Sequence, residues 1–287
     1  MDLSIIIVSW NVKEKLKENL KAIYASSGNF SFEIFVIDNN SQDGSTKMVK
    51  EMFPGVKLIA NSSNLGFAKG CNQGLEKSRG RYKLLLNPDM RVFKNTLDLM
   101  LSILDKNPQA AISGCRLVNT EGEVVRQVRA FPAFLDQLAI VLKIPHIFPK
   151  VLNKYLLPKF DYGKDSQVDS IRGAFFVIRE ENFDLPIKLD ERYFLWFEEV
   201  DFCRQAKKQD KEVWYFHEPQ CLDYVGQSFS QLKSRKTQKY FFDSMLKYFK
   251  KWHPSWQYFI LKIISWPIIF LTGFLRDVIK IKSKFRT

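Results

Sequence analysis

The sequence predicts an α/β fold on a mainly parallel sheet, and three observations carry that expectation. Short β-rich apolar runs alternate with helical patterns of roughly ten residues, the signature of successive βαβ units. The apolar runs are continuous instead of alternating, as strands covered on both faces must be. The chain has 287 residues, 46% of them hydrophobic, which suffices for a sizeable buried core.

Taken in order, Leu3–Val8 reads as a buried strand and Lys13–Ala25 as a helix with Leu16, Leu20 and Ile23 on one face. Glu33–Ile37 is a second strand, followed by a helix from near Gly44 that ends before Pro54. Val56–Ala60, the helix Phe67–Lys77 and the strand Tyr82–Leu86 continue the alternation. Arg129–Lys159 mixes apolar and basic residues with Pro132, Pro145, Pro149 and Pro158. It reads as short helices broken by proline, a flap over a site. Gly173–Ile178 is a strand, Glu199–Gln209 a helix and Val213–Phe216 another strand, and from Ser234 the pattern is helical and aromatic.

In open α/β sheets ligands bind beyond the carboxyl ends of the strands. Those positions are polar here: Ser9, Trp10 and Asn11, then Asp38, Asn39 and Asn40, then 61–64, then Asn87, Pro88 and Asp89. Any one of these is also an ordinary turn signal. Four in succession favour a polar ligand pocket.

Composition excludes disorder and collagen-like sequence, with 13 Gly and 11 Pro in no period. The four cysteines (Cys71, Cys115, Cys203, Cys221) are dispersed, against a zinc site or a disulfide framework. Leu3–Val8 is too short for the apolar part of a signal peptide and has no basic residues before it, so the cytosolic side is expected.

Four motifs carry chemistry. Residues 36–45 (VIDNNSQDGS) put Asp38 at a strand end, where a carboxylate can accept from a pyrimidine N3–H. Asp43 and Ser45 fit a helix cap. Residues 64–74 (NLGFAKGCNQG) place Gly66, Gly70 and Gly74 on one helical stripe that admits close approach of a ligand or a strand. No GxGxxG or Walker loop is present, so ATP or NAD binding is poorly supported. Residues 84–89 (LLLNPD) offer Asp89 to a divalent cation. Residues 190–204 (DERYFLWFEEVDFCR) gather Glu198, Glu199 and Asp201 after an aromatic run. Apolar neighbours raise a carboxyl pKa toward that of a general base.

These motifs, with SIIIVSWN at the start, RGAFFVIR and VGQS, follow an order that resembles the family 2 inverting glycosyltransferases of the GT-A fold, most of all the rhamnosyltransferase-like branch. The resemblance covers about residues 1–230. It implies a Rossmann-like catalytic domain over 1–230, with a nucleotide-sugar half at about 1–115 and an acceptor half at about 116–230. By the same resemblance Asp38 would bind the base with Ser9 and Asn11 beside it, and Asn64, Gly66, Gly70 and Asn72 would line the nucleotide-sugar site. Asp89 would hold Mg²⁺ or Mn²⁺ and the diphosphate, with Asn87 at the first position of that motif. Glu199 would be the catalytic base, with Glu198 before it and Asp201 in support. Asp223 stands where the family often carries a metal-binding His; a hard oxygen donor can still serve. The implied reaction moves a sugar, rhamnose or another hexose or deoxyhexose, with inversion from a nucleoside-diphosphate donor to a lipid-linked or glycan acceptor in bacterial surface-polysaccharide synthesis. The rival readings are a sugar-phosphate nucleotidyltransferase and a non-catalytic nucleotide-sugar-binding subunit. Ser9-Trp10-Asn11 lacks the Gly-rich basic loop of the first, and retention of Asp89, Glu199 and Asp201 weighs against the second.

The remaining segment, 231–287, is basic and aromatic. Residues 230–287 hold 13 Lys and Arg against two Asp, so +11 of the net charge of +13 lies there. Tyr258–Leu275 contains a single charge, Lys262, and as a helix would measure roughly 27 Å, borderline for a bilayer core. Attachment to an anionic membrane surface at the cytoplasmic face is expected, in the interface or spanning; a helix buried on the catalytic domain is the alternative. On the membrane reading a chain ending near Gln231 stays folded. Nucleic acid is not expected, since the basic residues flank apolar sequence.

Overall fold

A computed structural model describes residues 1–26, 28–184, 186–224 and 234–267. A nine-stranded sheet runs in the order β3-β2-β1-β4-β8-β6-β9-β5, with β7 also paired to β9. The parallel half comprises β1 (Leu3–Ser9), β2 (Phe32–Asp38), β3 (Lys57–Ala60) and β4 (Tyr82–Leu86). Its connections are α1 (Lys13–Tyr24), α2 (Ser45–Met52) and α3 (Phe67–Leu75). Ser9 pairs with Asp38, and Asp38 with Ala60, so three strand ends finish level.

The other half is not parallel, which corrects the expectation of a mainly parallel sheet. β8 (Phe175–Arg179) runs antiparallel to both β4 and β6 (Ala110–Val118), and β5 (Met90–Val92) runs antiparallel to β9 (Glu212–Asp223). Only β6 and β9 are parallel there, and β7 (Ser166–Gln167) is antiparallel to β9. The reason is topological: β8 follows a long excursion from β6 and enters between β4 and β6 in the opposite sense. β5, β6 and α4 (Thr96–Lys106) go beyond the sequence reading. The stripe Leu97, Met100, Leu101 and Leu104 on α4 is a legible helical signal, whereas Gly114 and Arg116 interrupt β6. β9 extends well past Val213–Phe216. Its register on β6 jumps from Tyr215 to Gln220 around Pro219, which has no N–H for the ladder.

Strand periodicity sorts the side chains into two cores. Ile5, Ile7, Ile34, Val36, Leu84 and Leu86 face α1, α2 and α4. Ile6, Val8, Phe35, Ile37 and Leu85 face α3 and α7 (Glu198–Lys208). The proline-rich stretch folds as short pieces: α5 (Phe134–Val141), 3₁₀ turns at Ile144–His146 and Pro149–Leu152, and α6 (Asn153–Leu156).

A third core is built by α8 (Ser234–Trp252). Its Phe242, Met245, Tyr248 and Phe249 pack with Val141, Tyr193 and Phe197. Asp201, fully buried on α7, accepts from Lys251 Nζ (2.7 Å), Trp252 Nε1 (2.5 Å) and Gln205 Nε2 (2.7 Å). A further helix, α9 (255–267), follows and buries Leu261. Among the described residues no helix is long and apolar enough to cross a membrane. Tyr258–Leu275 is described only to residue 267, and Arg276, Lys280, Lys282, Lys284, Arg286 and the stretch 225–228 (VGQS) lie outside the described residues.

The start of the tail is therefore part of the folded body, and a chain ending near Gln231 is expected to lose it. Truncation uncovers Tyr193 and Phe197 and strips Asp201 of Lys251 and Trp252. Calorimetry should find no cooperative melt for the truncated chain; an unchanged melt would show that α8 is dispensable. In the full chain, Met245→Ala should cost about 2–5 kcal/mol in urea unfolding.

Candidate functional site

A cavity of about 620 Å³ lies at the strand ends, lined by Ser9, Trp10, Asn39, Asn64, Gly66 and Asn87 together with Arg129, Tyr155, Arg172, Glu198 and Glu199. Six of the residues singled out from sequence meet there: Ser9, Asn64, Gly66, Asn87, Glu198 and Glu199.

Each is placed by local structure. Ser9 closes β1, fully buried, and its Oγ has no partner. Asn64 accepts from the Gly66 amide (3.0 Å), and Gly66 adopts φ +86. A Cβ at Gly66 would come within 2.5 Å of the Phe194 carbonyl, which accepts from the Phe67 amide at 2.8 Å. Gly66 is thus the point where the 190–197 loop crosses the start of α3, and only glycine allows it. That loop ends with Trp196 and Phe197 in consecutive left-handed conformations (φ +66 and +68). Such strain persists only where surrounding packing over-determines it. Here it delivers Glu198 and Glu199 to the cavity at the N-terminus of α7, where the helix dipole favours anionic groups.

Other sequence-predicted residues lie close by without lining the cavity. Asp38 ends β2, buried, with Oδ2 accepting from the Ser41 amide (2.8 Å) and Oδ1 without a partner. Asn11 (φ +52) bridges two loops: its amide donates to Ser41 Oγ (2.9 Å) and its Oδ1 accepts from the Gln42 amide (2.7 Å). Asp43 accepts from Ser45 N–H and Oγ–H and from the Lys13 amide, one residue ahead of Gly44, which takes the N-cap position of α2 with no side-chain cap bond.

Three of the residues implied by the resemblance, Gly70, Asn72 and Asp201, are engaged by contacts within the fold. Gly70 faces the sheet, where a Cβ would sit 2.9 Å from Val8, so its smallness serves helix–strand packing. Gly74 does the same against Ile6 and Ile37. Asn72 is buried and doubly bonded to the Leu189 backbone (both 2.8 Å) and to Glu191 (3.0 Å), which fastens the 187–191 segment to α3. Asp201 is taken up by α8 and lines no part of the cavity.

The two candidate metal ligands meet across β5 and β9: Asp89 precedes Met90, which pairs with Asp223, and the Tyr224 amide donates to the Asp89 carbonyl (3.4 Å). Asp223 Oδ2 is 3.0 Å from Arg172 Nη1. Among the described residues no cluster of three or more His, Cys, Asp or Glu is poised to hold a metal. Two hard carboxylates suit Mg²⁺ or Mn²⁺ when phosphate oxygens and water complete the shell, and do not suit a cage made by protein alone.

Electrostatics separates the acidic pair. Burial pushes the Glu198 carboxyl well above the ordinary carboxylate range, and the neighbouring Glu199 adds to it. Burial also raises Glu199, but Arg172 and Arg129 offset part of this. Glu199 is half-buried and one oxygen of each carboxyl has no partner. Burial thus raises Glu198 more strongly than Glu199, and Glu199 is the more accessible of the two residues. Arg129, Tyr155, Arg172, Lys236 and Tyr240 were not among the sequence candidates. Arg172 stands in the quoted RGAFFVIR motif, so a signal existed; Lys236 and Tyr240 reach the cavity only because α8 folds back.

The family profile described as Glycosyl transferase family 2 matches residues 4–179. A low-salt glycan biosynthesis hexosyltransferase, Agl10, of Haloferax volcanii is 26% identical over 219 residues, 74% of this chain and 64% of that protein. An N-acetylglucosaminyl-diphospho-decaprenol L-rhamnosyltransferase of Mycobacterium tuberculosis is 22% identical over 181 residues, 58% of each chain. The chain thus matches less than two thirds of either relative's length. The fold is similar to that of the mannosyltransferase PcManGT from Pyrobaculum calidifontis, solved with GDP-Man and Mn²⁺: TM-score 0.57 at 15% identity, covering 92% of this chain and 69% of that one.

A buried carboxyl whose pKa is raised by folding stabilises at low pH and loses that contribution as pH rises through its folded value. Glu198→Gln should therefore raise the melting temperature at neutral pH, with the gap to wild type closing toward acid. A gap that is constant with pH, measured by scanning fluorimetry, would mean that folding does not raise the Glu198 carboxyl.

Proposed function

The chain belongs to glycosyl transferase family 2, and on that premise we propose that it transfers a hexose or deoxyhexose, rhamnose among the candidates, with inversion from a nucleoside-diphosphate donor to a hydroxyl of a lipid-linked or polysaccharide acceptor, at the cytoplasmic face of a membrane. The observation that carries the reading is Glu199, a half-buried residue that lines the same cavity as the polar strand ends.

The donor is assigned to those strand ends. Asp38 Oδ1, buried and without a partner beside Ser9, is the acceptor for a base N–H. Asn64, Gly66 and Asn87 bound the sugar-diphosphate region. A divalent cation, held by Asp89 and Asp223, would neutralise charge building on the leaving diphosphate. The Mn²⁺ in the mannosyltransferase neighbour supports that assignment. Arg172 and Arg129 supply fixed positive charge in the cavity lining.

Glu199 takes the proton of the acceptor hydroxyl, whose oxygen forms the new bond to the anomeric carbon as the bond to diphosphate oxygen breaks. A single base and direct displacement give inversion. A double displacement would need a second carboxylate placed as nucleophile, and the burial that raises the Glu198 carboxyl disfavours that role. The hexosyl- and rhamnosyltransferase relatives support the donor class, and the decaprenol-diphosphate acceptor in one of their names supports a lipid-linked acceptor.

Glu199→Gln should lower kcat about 10²–10⁴-fold while the donor Kd, by calorimetry, stays within about twofold. Because Glu199 must be ionised and burial raises its pKa, kcat/KM should fall as pH drops through a value above that of a free carboxyl. Unchanged turnover in the variant would move the base elsewhere. Asp89→Ala should abolish the effect of Mn²⁺ on donor binding; a Mn²⁺ response equal to wild type would remove Asp89 from the metal site.

A further inference from the structure

Two segments far apart in sequence leave large apolar side chains in water. On α9 these are Trp256, Phe259, Ile260, Ile263 and Trp266, with Ile263 70% exposed. Their spacing of three and four residues makes one helical face, and it is the outward one, since Leu261 and Ser265 point inward. The flap shows the same inversion. Leu135, Leu142, Ile147, Phe148 and Val151 are exposed there, Ile147 to 75%. The two segments touch where the Phe134 and Trp256 rings meet at 5.1 Å, edge to face.

We propose that the flap and α9 together form one membrane-docking surface that seats the protein in the headgroup layer of an anionic bilayer. The inference rests on the membrane-associated transferase reading and deepens it, because it assigns half of the contact to the catalytic domain's own flap.

Charge selects the occupant. Exposed Lys143, Lys150, Lys154 and Lys159 are interleaved with the flap's apolar residues, and no Asp or Glu occurs from Gln137 to Lys159. Helix α9 likewise carries exposed Lys262 and no acid. A second copy of the chain would bring lysine against lysine across the contact. A basic, apolar face with tryptophans suits acyl chains and anionic headgroups instead.

The location has a consequence for the acceptor. The inner side of the same flap lines the cavity with Ile140, Leu152 and Leu156, while its outer side carries Ile147, Phe148 and Val151. One thin wall therefore separates the reaction site from the lipid. A hydroxyl on a lipid-linked acceptor need travel only around that wall, its chain remaining in the bilayer.

The test is co-sedimentation of the full chain with phosphatidylcholine vesicles with and without phosphatidylglycerol. Wild type should pellet with the phosphatidylglycerol vesicles, less so at high salt. The variants Ile147→Glu/Phe148→Glu and Phe259→Glu/Ile263→Glu should each bind about tenfold or more weakly, with melting temperature and nucleotide-sugar binding unchanged. Should a glutamate pair unfold the chain, Ile147→Ser/Phe148→Ser carries the same comparison. Wild-type binding by the flap variant overturns the proposal, as does wild type remaining in the supernatant. So does a dimer, seen by sedimentation velocity, that the same substitutions dissolve. Nucleotide-sugar binding separates the two readings. Vesicle binding without donor binding sinks the transferase reading alone; donor binding without vesicle binding sinks the docking surface alone.

Discussion

The buried carboxylate of Asp201 is the constraint on which the rest of the molecule depends. A charge with no exposure to water is tolerated only when it is fully paired; loss of a partner from a buried pair costs about 3–5 kcal/mol. Asp201 is satisfied by Lys251, Trp252 and Gln205, and two of these belong to α8. Asp201 sits one turn into α7, whose first two residues are Glu198 and Glu199. The same few bonds therefore hold the C-terminal helix to the domain and fix the helix that presents the acidic pair.

The strand-end wall of the cavity is set by the parallel half of the sheet. Level strand ends put Ser9 and Asp38 side by side. Close seating of α3 on β1 and β2, made possible by Gly70 and Gly74, brings Asn64 and Gly66 up to the same opening. Phe194 links that wall to α8: its backbone crosses Gly66 and its ring stacks on Tyr240 of α8 at 4.4 Å. Motion of the 190–197 loop would disturb both at once.

The cavity that results is lined by polar residues at the strand ends and, from the flap and α8, by Ile140, Leu152, Leu156 and Phe241 alongside Arg129, Tyr155, Lys236 and Tyr240. Such a mixed lining suits two substrates of different character, one bearing phosphates and one bearing hydrocarbon. Arg129 and Arg172 are close enough to Glu199 to moderate the effect of burial on it.

Much of this was legible in one dimension. Continuous apolar runs determined β1, β2 and β4, because strands buried on both faces have no polar positions to spare. Polar residues following each run located the binding edge, and the acidic pair after an aromatic run marked the chemistry. Three things were decided only by the tertiary structure. Strand direction in the second half depended on where the chain re-enters the sheet after the flap, which no local pattern encodes. The tasks of Gly70, Asn72 and Asp201 depended on what packs against them, since a small or polar side chain reads the same whether it meets a ligand or a backbone. The helical, aromatic pattern from Ser234 was equally consistent with burial on protein or in lipid: both exclude water, and only the packing of Met245, Tyr248 and Phe249 on Tyr193 and Phe197 decides for α8.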